Sequence, residues 1–139
     1  MTSADLARSY LAKARARLEA LAVLRAHDAH SDVVREAQEL VELALKGMLR
    51  AVGVEPPKVH DVGSLLVEHT RLFVPDARHD LPRAAAISKR LRRDRELAFY
   101  GDVDFIPTEE YTDADAGQAY DDAAWVVGLA ARVIDRPTP

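Results

Sequence analysis

Between Asp32 and Val52 the chain sets Val34, Ala37, Val41, Ala44, Met48 and Val52 at steps of three or four residues. That spacing puts all six on one face of an α-helix. Val33, Leu40, Leu45 and Leu49 widen the face, so this helix has to be covered by other elements. The pattern predicts a central helix over Asp32–Val52, opened by Ser31 as N-cap, with Glu39 and Glu42 flanking Lys46 on its solvent side. Gly53 is expected to close it as a left-handed cap, and Pro56-Pro57 bars any continuation. No segment alternates with period two over several residues, so the cover must come from helices.

The remaining sequence supplies them. A first helix starts near Ser3 or Asp5 and carries Leu6, Tyr10, Ala14, Leu18 and Leu21 at helical spacing, ending around His27-Asp28-Ala29-His30. A short helix capped by Asp61 carries Val62, Leu65, Leu66 and His69. Pro75 and Pro82 bracket a turn region, and a basic helix then runs to Tyr100. Gly101 to Glu110 reads as a loop pinned to the body by Phe105, Ile106 and Pro107. Thr112 to Asp115 reads as a capping box. It opens a last helix with Ala116, Ala119, Tyr120, Ala123, Val127, Ala130 and Ile134 inward, plus Trp125. The expected fold is all-α, an up-and-down bundle of four long helices plus one short helix. At 139 residues it fits a single domain over residues 1–139.

Chemistry concentrates in Lys89 to Asp102, KRLRRDRELAFYGD, where five of the first seven side chains are basic. Ile87, Leu91 and Ala98 form its inward stripe. Arg93 and Tyr100, seven apart, fall on nearly the same helix face, and Arg95 lies further round. A guanidinium and a phenol side by side suit a phosphate and a base; they equally suit the end of an amphipathic helix. The charge is segregated around this stretch. Arg78 to Arg95 holds seven Lys/Arg against two Asp, whereas Glu96 to Ala123 holds nine acids and no base, within a net charge of −4. Such a patch can steer a polyanion locally, or the two halves can neutralise each other within one subunit or across a dimer.

Several chemistries are excluded or disfavoured. Without cysteine there is no disulfide, thiolate metal site or cysteine nucleophile. No glycine-rich phosphate loop, HExxH helix or GxSxG turn occurs. His27, Asp28 and His30 read as a polar connection, Asp102 and Asp104 as solvated loop acids, and His60 as a packing or capping side chain. No metal and no cofactor is therefore expected. No apolar run reaches membrane-spanning length, and the opening MTSADLARSY has no signal-peptide core, so no membrane partner and a cytoplasmic location are expected.

The segment Arg35 to Leu66, REAQELVELALKGMLRAVGVEPPKVHDVGSLL, resembles the second and third helices of HEPN domains, the higher eukaryote and prokaryote nucleotide-binding bundles. Arg92 to Asp102 resembles that family's arginine-led motif, in which four to six residues separate the arginine from a histidine. Here the motif arginine is Arg93 or Arg95, and the histidine position holds Tyr100. The resemblance implies a bundle that dimerises with the motif at its interface, and commonly a nucleotidyltransferase antitoxin as partner. It implies a nucleotide or RNA held by Arg93, Arg95 and Tyr100 as the site, with Lys89, Arg90, Arg92 and Asp94 as further binding residues. It also makes Tyr100 a candidate acceptor for a transferred nucleotide. A phenol titrating near pH 10 is a poor base, so stacking or hydrogen bonding suits Tyr100 better than proton abstraction. The alternatives are a metal-independent endoribonuclease with a degenerate motif, or a bundle that serves protein interaction alone.

Overall fold

The strongly patterned stretch forms α2, His30–Ala51, and the three other long helices pack on it. The computed structural model describes residues 2–58, 62–93 and 106–135 in full, and residues 94–99 as helical backbone. Around α2 lie α1 (Ser3–Ala26), α3 (Val62–Glu68), a 3-10 turn (Thr70–Leu72), α4 (Pro75–Arg78), α5 (Leu81–Phe99), α6 (Pro107–Glu110) and α7 (Asp113–Ile134). This is the expected all-α bundle of four long helices and one short one. Two single-turn helices, α4 and α6, stand where a turn and a loop were expected, each opened by a proline whose fixed φ suits a first helical position. No strand occurs among the described residues, and none of their helices is long and apolar enough to cross a membrane.

The helix ends follow from local chemistry. At α1 the N-cap is Thr2, not Ser3 or Asp5. Its hydroxyl accepts from the Asp5 N–H at 3.1 Å, and the Asp5 carboxylate accepts from the Thr2 N–H at 2.9 Å. That backbone N–H, then the Thr2 hydroxyl and the Arg8 guanidinium, hold the Asp5 carboxyl below its ordinary value of 3.8. Thr112 and Asp115 repeat the box at α7, as expected. Ser31 does not cap α2. The helix starts two residues earlier, at His30 with Ala29 as N-cap, because α1 closes tightly, so Ser31 turns inward and is buried. Asp28 takes the left-handed conformation at φ 56°, and the Ala29 N–H reaches back to the Leu24 carbonyl at 3.0 Å. An aspartate tolerates that backbone better than most side chains. Among the described residues no three His, Asp or Glu gather closely enough to hold a metal.

Gly53 closes α2 at φ 83°, with the Val54 N–H on the Leu49 carbonyl and the Gly53 N–H on that of Arg50. This is the left-handed cap read from the sequence.

In the core, Val34, Ala37, Val41, Ala44 and Met48 are buried as predicted, together with Val33, Leu40, Leu45 and Leu49; Val52 is half-buried. On α1 the buried row is Ala7, Leu11, Ala14 and Leu21, whereas Leu6 and Tyr10 stay half-buried. The small Ala7 faces inward where α1 approaches α2 closely at Gly47. A Cβ there would lie 3.3 Å from the Ala7 carbonyl oxygen and 3.2 Å from the Tyr10 Cβ. Ile87 and Leu91 anchor α5 as expected; the Ala98 side chain lies outside the described residues. On α7 the predicted Ala116, Ala119, Ala123, Val127, Ala130 and Ile134 are buried, joined by Val126 and Leu129, while Tyr120 and Trp125 are half-buried. Ile106 is 46% exposed, so it does not pin the chain before α6. Phe105, His60, Asp61, Asp102 and Asp104 lie outside the described residues.

The α3–α5 crossing depends on Gly63. A Cβ at that position would sit 2.9 Å from Ala85 Cα, a backbone atom that cannot swing aside. Gly63→Ala is expected to lower stability by about 1–3 kcal/mol, the usual range for overpacking. Thermal unfolding checks it, and an unchanged midpoint would mean α3 docks less closely.

Candidate functional site

Leu91 fixes the orientation of the basic helix. It is 3% exposed, so its two neighbours, each rotated about 100° around the axis, leave the core in opposite directions. Arg90 turns towards α7 and donates to the carboxylate of Asp122, which is itself 5% exposed. The second oxygen of Asp122 accepts from Gln118 Nε2 at 3.0 Å. Arg92 turns towards α2 and donates to Glu42 Oε1 at 3.2 Å. The Gln38 amide nitrogen lies 3.5 Å from the other Glu42 oxygen. Two guanidiniums of the run are thus tied to carboxylates of flanking helices.

Lys89 and Arg93, one turn apart, are both exposed on the outward side of α5. The helical backbone continues through positions 94 and 95 and ends at Phe99, so Arg93 and Arg95 belong to one helix. The side chains of Asp94 and Arg95, and all of Tyr100, lie outside the described residues.

Beside Arg90 the surface opens into a cleft of about 180 Å³ between α2, α5 and α7, with Tyr111, Asp115 and Gln118 on its rim and Val34, Leu91 and Ala119 beneath. It offers a guanidinium, a phenol, an amide and a carboxylate over an apolar floor. Sites that swallow a whole small molecule run from about 300 Å³ upward. A cleft of this size takes one group of a larger ligand, such as a phosphate. Further along α5 the Arg83 guanidinium lies over the Trp125 ring, 4.1 Å from its centroid. Arg132 of α7 donates to Asp80 at 2.7 Å.

The charge segregation is therefore used in part inside the subunit, where Arg90 of the basic half meets Asp122 of the acidic half. Sequence reasoning did not single out Asp122, Gln118, Glu42 or Tyr111 as site residues. A signal for two of them was present. Gln118 and Asp122 are four apart, one step from the apolar row Ala119–Ala123, so both project from the edge of a buried face. Tyr111, half-buried just before the α7 cap, carried no periodic signal.

Set against known proteins, the chain matches the HEPN domain family over residues 7–133. No curated protein and no solved structure matches it.

Proposed function

Because this chain belongs to the HEPN domain family, we propose that it binds a nucleotide or an RNA backbone along the outward side of α5. Lys89 and Arg93 attract the phosphates. Arg95 and Tyr100 complete the grip, by a forked guanidinium contact and by stacking on the phenol. Arg90 and Arg92 each hold a carboxylate of a neighbouring helix, so they shape the groove, and a phosphate reaching Arg90 competes with Asp122 for it. Asp94 borders the same stretch and favours donors over further phosphates. The observation that carries this reading is the exposed Lys89/Arg93 pair on α5, beside the cleft at Arg90.

On this reading residues 1–139 act as one domain. The protein works as a homodimer through α5, with a nucleotidyltransferase antitoxin as its partner in a toxin–antitoxin pair in the cytoplasm.

A second reading, the protein-interaction bundle, draws support from Arg90–Asp122 and Arg92–Glu42, since paired cations are less available to a polyanion. Titration of labelled RNA in the presence of a chelator separates the two. Binding should weaken steeply with salt, and Arg93→Ala/Arg95→Ala should weaken it about tenfold or more, as expected for losing two charge-assisted contacts. Tyr100→Phe should lower affinity while leaving the melting temperature unchanged. Intact RNA supports binding alone, and metal-independent cleavage lost in the arginine variant supports the ribonuclease alternative. Undetectable binding at low salt would leave the interaction bundle. Light scattering on the same samples reports the dimer; a salt-independent monomer at tens of micromolar argues against it.

A further inference from the structure

A second concave surface lies where the end of α2 meets α1 and the proline-rich link. It encloses about 470 Å³ and shares no residue with the cleft at Arg90. Its walls carry Lys46, Arg50 and Lys58 against the single carboxylate of Glu55, together with Tyr10 and Pro56-Pro57. Lys46 and Arg50 are one turn apart on α2, so both reach the same side. The arginines of the α5 run at 90 and 92 are held by carboxylates. By contrast, none of these three cations forms an ion pair with Glu55 or any other described carboxylate. The Arg50 guanidinium lies over the Tyr10 ring, 5.7 Å from its centroid, and its Nε is buried without a hydrogen-bond acceptor.

Cations at the end of a helix also complement its dipole. That role is already served by other groups here. The Arg50 carbonyl accepts from Ser3 Oγ at 2.8 Å and from the Gly53 N–H, and the Leu49 carbonyl accepts from the Val54 N–H. Dipole compensation also gives no reason for a concavity of this size, or for a buried donor left unsatisfied, which is costly. An anion supplies a counter-charge for the local excess of two positive charges and acceptors for the terminal guanidinium nitrogens of Arg50. The volume exceeds what a bare phosphate needs, and the tyrosine and proline walls offer flat apolar surface to an attached group.

We propose that this pocket binds a phosphate monoester of a compact organic molecule, with Lys46, Arg50 and Lys58 on the phosphate and Tyr10, Pro56 and Pro57 against the organic part. The site is independent of the α5 groove.

Calorimetric titration of the full chain with inorganic phosphate, ribose 5-phosphate and adenosine 5′-monophosphate tests it. Saturable binding of a monoester, tighter than inorganic phosphate, is expected. Lys46→Gln and Lys58→Gln should each weaken it about fivefold or more, and Arg50→Gln more strongly still. Lys58 is exposed, so its variant keeps the test meaningful if Arg50→Gln fails to fold. Arg93→Ala/Arg95→Ala should leave the binding of ribose 5-phosphate, which is not a nucleotide, unchanged, and this separates the pocket from the α5 reading. No saturable binding by any of the three probes at millimolar concentration would overturn the proposal. So would ribose 5-phosphate binding that is lost with the α5 variant, or that survives neutralisation of both lysines.

Discussion

Val41→Asp is expected to leave no folded protein. Val41 is 1% exposed at the middle of α2, the helix on which α1, α5 and α7 all pack. A carboxylate in that position would sit within the buried cluster of Ala, Val, Leu, Ile, Met and Phe side chains. Burying it unpaired costs several kcal/mol, and the lost apolar contact adds about 1–3 kcal/mol. The total stability of a domain is only about 5–15 kcal/mol. The measurement is the helical circular-dichroism signal at room temperature together with its thermal transition. A cooperative transition within a few degrees of wild type would show that α2 is not the centre of the bundle.

The second large effect concerns the ion pair between α5 and α7, and its two halves should respond unequally. Arg90→Ala leaves the 5%-exposed carboxylate of Asp122 with the Gln118 amide as its one remaining partner among the described residues. Removing one partner of a fully buried pair costs about 3–5 kcal/mol. The Arg90 side chain is 43% exposed, so solvent screens part of the interaction and about 2 kcal/mol is expected. For a domain of this size that is a fall in melting temperature of roughly 8 °C. Asp122→Ala should cost less, because the half-exposed guanidinium it strands can turn to water. The double variant should be more stable than Arg90→Ala alone, since no charge is then left buried without its partner. If Arg90→Ala proved neutral, or the double variant were the least stable of the three, the pair would not tie α5 to α7.

The same pair bears on function. An arginine held by a buried carboxylate presents only part of its hydrogen-bonding capacity to a ligand, so the run from Lys89 to Arg95 is not a uniform basic strip. Lys89 and Arg93 face outward, Arg90 and Arg92 face the neighbouring helices, and polyanion contact divides accordingly.

Much of this fold was legible in the sequence because a helix writes its buried face as a periodic pattern. The rows on α2 and α7, the left-handed cap at Gly53 and the capping box at Thr112 all depend on residues within a few positions of one another. The α1 row was displaced from Leu6 and Tyr10 to Ala7 and Leu11 for a reason no local pattern holds. Gly47, forty residues from Ala7, lets the two backbones approach, and Ala7 then faces inward. The early start of α2 likewise reflects the tight closure from α1.

The basic stretch could be recognised from its residues alone, and its resemblance to an arginine-led motif needed only their spacing. Which arginines are engaged could not. Asp122 lies 32 residues from Arg90, and Glu42 lies 50 from Arg92. The pocket beside Arg50 likewise joins Tyr10 to Pro56, Pro57 and Lys58 across the bundle. Sequence by itself determined the long helices, the apolar faces of α2 and α7 and the sign of the charge along the chain, because those depend on neighbouring residues. Only the tertiary structure decided which charges meet a partner and which line an open surface, because a Coulomb interaction depends on distance in space, and that distance exists only once the helices have packed.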